Sequence, residues 1–427
     1  MKLFVINIIF LLSVYQIAVA QEMMLEAHDG DVFNAWQVDF QNHGQYILKF
    51  PDSFTAFSVL IPVSGHFDEI SVTVSGKAVG LIPFGEDEVM FSDSLQVSDI
   101  IFTGKAINEI IVSFSQNIGR IFIHTYHAGK VYLPENHLEE NFSGIDCSKP
   151  LMVDQDQWRS GLTPPTVKPT YTRTAHIVIH HSAGSNTSVN HLEDVRNIYL
   201  YHTKTLGWDD IGYNFLIARD GTIYSGRDGQ GWMEDDFVKG AHFCGKNTNT
   251  MGICLLGEYS VSLPTPQALF SLKKLILWKC HKDQLNPLDS ALHPPGSDTA
   301  LLLPVICGHR DGCSTECPGT AAYVLLPSLR SEVDSLLSLC FPVSTNEPNQ
   351  RNNVSVFPNP SDGNFEINIS GRQVKKLILM SPDGKIMEEK VLPLTGSAIY
   401  VDNLPKGIWF LRIYLTDSIE NHKVIIE

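Results

Sequence analysis

From Glu22 to about residue 137, apolar and polar residues alternate in short runs, QYILKF, FSVLIPVSG, EISVTVSG, IIVSFS and RIFIHTY, separated by Gly, Pro, Asp and Asn. Alternation of period two puts one face of each strand in a core, which predicts a β-sandwich-like domain of antiparallel strands over residues 21–140. From Cys147 the period changes. HIVIHHSAG reads as a buried strand with a polar end, and NHLEDVRNIYLYHTK sets Leu192, Val195, Ile198, Tyr199 and His202 at helical spacing. GYNFLIARDGTIYSGR reads as two strands about an Asp220-Gly221 turn, and MGICLLGEYS as a further buried strand. TPQALFSLKKLILWKC makes an amphipathic helix with Thr265 as N-cap and Pro266 in the first turn. PVICGHRD is a strand leading into a loop, and TAAYVLLPSLRSEVDSLLSLC a last helix or a helix pair interrupted at Pro327. Strands alternating with helices pack as a mixed sheet flanked by helices, so residues 145–341 are expected to form an α/β domain. The polar, aperiodic stretch 342–353 fits a linker. Residues 354–427 return to short strands with Asp-Gly and Pro-Lys-Gly turns, a small all-β domain. The expected fold class is therefore multidomain: a central α/β domain between an N-terminal β-sandwich-like domain and a small C-terminal all-β domain.

A length of 427 residues agrees with about three folded units at roughly 150 residues each. The formal charge of −16 leaves no basic footprint for a phosphate backbone, so nucleic acid is not an expected partner. Met1 to Ala20 carries Lys2, an apolar stretch and Ala18-Val19-Ala20, the pattern of a cleaved secretory signal, too short in its apolar part to span ~30 Å of hydrocarbon. No later segment reads as a membrane span. Export permits disulfides, so the eight cysteines, all between Cys147 and Cys340, can be bridges, metal ligands or buried thiols.

Candidate chemistry is confined to the middle of the chain. His180 and His181 end a strand, and far along the chain GHRDGCSTECPG holds His309 and Cys317 eight residues apart. Three N/S ligands with a fourth position open for water are the pattern of catalytic zinc, whereas structural zinc is usually closed by four protein ligands. The spacing alone leaves Cys317 equally able to be half of a disulfide. His181 should point to the opposite sheet face and be structural. Asp311 and Arg310 are expected to orient the loop. His124 and His127, in an alternating strand, are expected as surface or hydrogen-bonded residues rather than ligands.

The ordered motifs IVIHHSAG, LGWDDIGYNFLIARDGTIYSGR, KGAHFCGKNTNTMGICLLGEY, TPQALFSLKKLI and GHRDGCSTECPG, covering about Cys147 to Leu339, resemble the peptidoglycan recognition protein family and the related N-acetylmuramoyl-L-alanine amidases. The resemblance implies that His180, His309 and Cys317 bind zinc and that Tyr213 and Thr315 are the other catalytic positions. It implies metal-assisted hydrolysis of the amide between N-acetylmuramic acid and L-alanine, with Tyr213 donating to the oxyanion and Thr315 helping to place it. Among its implied substrate contacts are Arg227, Asn247 and His242, the last of which reads equally well as a hydrogen-bonded loop histidine. The segment DGQGWMEDDFVK after Arg227 is longer than in the family and lies where the stem peptide is contacted. The family also implies a bridge from an N-terminal extension to the long helix, here Cys147 to Cys280. Cys254 and Cys307, inside apolar runs, are expected as buried thiols, and Cys244 to Cys313 is expected as a second bridge.

The C-terminal stretch, with VFPNPSDGNFEINI, LILMSPDGKIMEE, YVDNLPKGIWFLRIYL and HKVIIE, resembles the type IX secretion sorting domain of certain Gram-negative bacteria; a generic carbohydrate-binding module is the alternative. It implies the secretion machinery as a partner, and export through the periplasm to the cell surface or medium. The rival to a zinc amidase is a peptidoglycan-binding receptor or adhesin that does not cleave. Non-catalytic relatives lose the cysteine ligand, and this chain retains Cys317.

Overall fold

The computed structural model describes residues 17–19, 23–30, 32–40, 42–62, 70–74, 77–81, 95–114, 119–129, 131, 147–340, 354–368, 374–381, 386–394, 398–415 and 419–427. Residues 1–342 and 343–427 form two compact units. The expected signal, apart from Ile17–Val19, and the expected linker at 342–353 lie outside the described residues.

In the first unit the N-terminal strands join into one hydrogen-bonded sheet rather than two separate ones. Its spine is Gly44–Pro62, a single strand running through Pro51-Asp52-Ser53, where the sequence suggests a break between two. Its early part pairs with Ile101–Phe114 and its later part with Arg120–Tyr126, with register shifts between Lys49 and Ala56. Trp36, Leu48, Phe54, Phe57, Ile110 and Ile123 pack together as this region's own core. The opposite faces of the same strands, through Phe33, Ala35, Leu60 and Tyr126, are buried against Val195, Ile198, Tyr199 and Leu200 of the helix His191–Leu200.

That helix therefore departs from a one-sided amphipathic element. Its polar residues Glu193, Arg196 and Asn197 are buried too, and each finds a partner in the N-terminal region. Thr55 donates to Glu193 at 3.0 Å, and Asn197 donates to Thr55 at 2.9 Å and accepts from the Ala128 N–H at 3.1 Å. The Arg196 guanidinium serves the Ala128 carbonyl at 2.6 Å and the Trp158 and Ser160 carbonyls at 2.6 and 2.9 Å. Buried polar groups persist only when paired in this way. The helix continues into a π-helical turn, Tyr201–Thr205, where Tyr201 donates to the Ser98 carbonyl and Thr205 meets both His124 and Tyr126. His124 and His127, whose Nδ1 lies 3.3 Å from a Glu193 carboxylate oxygen, are thus interface residues.

The central sheet is mixed, in the order Ile223–Ser225, Phe215–Ile217, Thr250–Leu255, His176–His181, Ile306–Gly308. The last four strands run parallel and the first pairs antiparallel across the Asp220-Gly221 turn, where Gly221 takes φ +93°. Pro266–Asp283 and Leu326–Cys340 cover one face, burying Ile177, Ile179, Leu275, Ile276 and Val333. Thr265 caps the first of these helices by accepting from Ala268, and Pro327 stands in the opening turn of the second, so the chain breaks before it rather than at it. A hairpin of Ser290–His293 and Leu301–Pro304, unforeseen from sequence, precedes the last strand.

Cys147 bridges Cys340, not Cys280. Cys280 is fully buried on the inner face of its helix, and burial pushes its thiol up to about 12. Cys340, ending the last helix, instead brings its Cα to 5.8 Å from that of Cys147, within the usual range for a bridge. Cys244 and Cys313 are bridged, and Cys254 and Cys307 are buried thiols.

Residues 354–427 form a second all-β unit of two sheets. Ser355–Phe357, Phe365–Asn368 and Ala398–Val401 make one; Ile386–Leu394, Val374–Met380, Gly407–Leu415 and Ile419–Ile426 make the other. Phe365, Ile367, Leu377, Trp409, Leu411 and Ile413 fill the core between them. No helix among the described residues is long and apolar enough to cross a membrane.

Candidate metal centre and cleft

Alternation along His176–His181 decides which histidine enters the site. Ile177 and Ile179 point into the helix-covered core, so Val178 and His180 face the other way. His181 follows the isoleucines: its ring nitrogen accepts the Tyr259 N–H at 3.3 Å, and it takes no part in the cluster.

His309 opens a 3-10 turn, His309–Asp311, directly after Ile306–Gly308, the strand next to His176–His181. Asp311 holds that turn by accepting the Gly308 N–H at 2.8 Å and the Tyr323 hydroxyl at 2.5 Å. The Arg310 backbone donates to the Cys317 carbonyl at 3.0 Å, and its guanidinium lies 5.0 Å from the Tyr323 ring and binds the Glu316 carbonyl, which folds the loop back. Gly319 completes the return at φ +84°, where a Cβ would stand 2.3 Å from the Tyr259 backbone. Cys317 is thereby brought to the end of the strand His176–His181, its sulfur accepting the His181 N–H at 3.3 Å.

The result is one cluster: ligand atoms of His180, His309 and Cys317 all lie within 4.8 Å of one another. The His180 Nδ1 is 3.7 Å from the Cys317 sulfur, close to the edge expected when N and S share a tetrahedral ion at ~2.0 and ~2.3 Å. Burial, reinforced by His309, His242 and His181, holds His180 well below the usual histidine range and so neutral, the form that ligates. The donor set and its spacing therefore fit zinc.

Tyr213 lies beside this cluster, its ring 5.2 Å from that of His180. Thr315 accepts the Cys317 N–H at 3.1 Å. His202, read from sequence only as a helix-face residue, is also close: it stacks on Trp208, accepts the Gly212 N–H at 3.1 Å and sits 5.7 Å from the Tyr213 ring. It lies in the π-helical turn Tyr201–Thr205 that ends the helix His191–Leu200.

The expected substrate contacts divide. Arg227 lines a cleft of about 220 Å³ with Lys168, Asp209, Asp210, Asp228 and Lys239. Burial lifts Asp210 to about 6, although the Asp228 and Ile211 N–H groups act against it. His242 and Asn247 are outside that lining and are 6% exposed each. Asn247 spends its side-chain oxygen on the His242 and Phe243 N–H groups, at 2.7 and 2.9 Å, so it shapes the loop. His242 packs against His180, its Nδ1 3.0 Å from the His180 Nε2. The long segment after Arg227 contributes Asp228, Gln230 and Lys239 to the cleft, while its Asp236 is anchored to the long helix by buried Lys279 at 2.5 Å and by Lys282 at 2.9 Å.

A mixed sheet carries the His, His, Cys cluster at its strand ends, and this part of the chain is similar to several known proteins. Residues 170–320 match the family model N-acetylmuramoyl-L-alanine amidase, and residues 355–427 match Secretion system C-terminal sorting domain. Peptidoglycan-recognition protein SC2 of Drosophila simulans is 36% identical over 148 residues, 34% of this chain and 68% of that protein. A peptidoglycan recognition protein of Trichoplusia ni is 33% identical over 180 residues, 42% of this chain and 85% of that one. The N-acetylmuramoyl-L-alanine amidase of Homo sapiens is 37% identical over 133 residues, 31% of this chain and 19% of that enzyme. Among solved structures, Drosophila PGRP-LB aligns at 29% identity over 42% of this chain and 92% of that one, with a TM-score of 0.33. The chain belongs to the peptidoglycan-recognition protein family and carries a C-terminal sorting domain.

Proposed function

We propose that this chain is an exported, zinc-dependent N-acetylmuramoyl-L-alanine amidase that hydrolyses the amide between N-acetylmuramic acid and L-alanine of peptidoglycan. The observation that carries the reading is the donor set, two imidazoles and a thiol with ligand atoms inside 4.8 Å. Three N/S ligands leave a tetrahedral ion one open position. Zinc, when bound there, supplies Lewis-acid polarisation of the scissile carbonyl and acidifies a water at neutral pH.

The chain's own groups do the rest. Tyr213, beside His180, donates its hydroxyl to the oxyanion that forms as the amide is attacked. Thr315 braces Cys317 through its N–H and stands where it can help place that oxyanion. Arg227 and the cleft around it receive the stem peptide. Residues 1–20 act as a cleaved signal, and residues 354–427 direct the exported protein to the cell surface or medium by the type IX route.

The test is end-group analysis of peptidoglycan digested by the purified protein. New L-alanine amino termini and free stem peptides, without new sugar reducing ends, are expected. Reducing ends would reassign the protein as a glycosidase, and tight binding without cleavage would make it a receptor. Tyr213→Phe should keep its zinc and lose ~10²- to 10³-fold in turnover, the usual worth of an oxyanion donor.

A further inference from the structure

His242 is held in a way that a substrate contact does not need. Its backbone N–H is fixed by Asn247, and glycines at 240 and 252 make room for its ring; a Cβ at either would lie 2.5 or 2.6 Å from it. The ring has a neighbour at each nitrogen. Nδ1 is 3.0 Å from the His180 Nε2, and Nε2 is 3.3 Å from the Thr250 hydroxyl, which itself reaches the Asn247 carbonyl at 2.8 Å.

Hydrogen-bond chemistry orders this chain in one direction. The Asn247 carbonyl can only accept, so the Thr250 hydroxyl donates to it and is left to accept from the His242 Nε2–H. A neutral His242 protonated at Nε2 has a bare Nδ1, which accepts from the His180 Nε2–H. The remaining nitrogen of His180, Nδ1, is then bare, and it is the one that faces the Cys317 sulfur.

We propose that His242 is a positioning residue for the metal ligand His180, and that the relay from His180 through His242 and Thr250 to the Asn247 carbonyl fixes the His180 tautomer with Nδ1 bare toward the ion. This rests on the zinc reading of the His180, His309, Cys317 cluster. A partner on the far nitrogen of a ligating imidazole sets its orientation and raises its basicity, and losing it typically weakens metal binding ~10- to 100-fold.

The test is zinc affinity of the full-length chain, measured by chelator competition, with the absorption spectrum of the cobalt-substituted protein as a second readout. His242→Phe, which removes the acceptor, should weaken zinc ~10- to 100-fold and alter the cobalt bands. His242→Asn places an oxygen near the position of Nδ1 and should restore most of that loss. Thr250→Val, nearly isosteric, should weaken zinc by a smaller factor even if the Phe variant fails to fold. Zinc affinity within about twofold of wild type in the His242 variants, with a raised KM for muropeptide, would overturn the proposal and return His242 to the substrate. A wild-type chain that binds no zinc at all would overturn the zinc reading together with it.

Discussion

The two β-rich flanks of the central α/β domain read alike in sequence but differ in what their strands bury. In the C-terminal unit, Gly407–Leu415 sends Trp409, Leu411 and Ile413 inward, while Ile408 is exposed, so one face suffices for one core. In the N-terminal region the same kind of strand is apolar on both faces. Phe33 and Ala35 face the helix His191–Leu200 while Trp36 and Val38 face the sheet's own core; Phe122 and Tyr126 divide from Ile121 and Ile123 in the same way. A strand apolar at both parities is one that is covered twice. The N-terminal sheet is thus part of the same unit as the metal-site domain, whereas residues 343–427 are a unit of their own.

The largest effect should come from removing each flank in turn. Deleting residues 23–131 uncovers the shared core and strands the buried Glu193, Arg196 and Asn197, so the remainder should be insoluble or fail to melt cooperatively. Deleting residues 343–427 should leave the melting temperature of the first unit within about 2 °C, since a unit with its own core unfolds independently. Circular dichroism melts of both truncations check this.

Single substitutions sharpen the contrast. Arg196→Leu leaves the Ala128, Trp158 and Ser160 carbonyls without their donor and should cost the first unit about 3 kcal/mol in urea unfolding, because orphaned buried acceptors are expensive. Leu411→Ala should cost about 3 kcal/mol as well, but only in a separate transition belonging to the second unit. Calorimetry of the two variants should therefore show opposite peaks moving. A smaller loss, about 1 kcal/mol, is expected from Thr205→Val, which removes the hydroxyl shared by His124 and Tyr126 across the N-terminal contact.

These particulars also show which features a one-dimensional reading reaches. His180, His309 and Cys317 were drawn together by the family resemblance, since their spacing alone left Cys317 equally able to be half of a disulfide. The parity of the HIVIHH strand was enough to separate His180 from His181. The Cys147 partner was not legible, since which of Cys280 and Cys340 turns toward it depends on the rotation of two helices against one core. The place of His242 beside His180 was not legible, because nothing in GAHFCG records that glycines at 240 and 252 open space for its ring. The N-terminal sheet was read as a separate domain because alternation names the strand and not the interior it joins.

On the proposed reading, one ion held by His180, His309 and Cys317 makes this chain an amidase. Titrating zinc into metal-free protein while following release of stem peptide from peptidoglycan tests it most directly. Cleavage should rise linearly and break at one zinc per chain, and Cys317→Ser should lose tight zinc binding and cleavage together. Cleavage at full rate in metal-free protein, or by the Cys317→Ser variant, would contradict it.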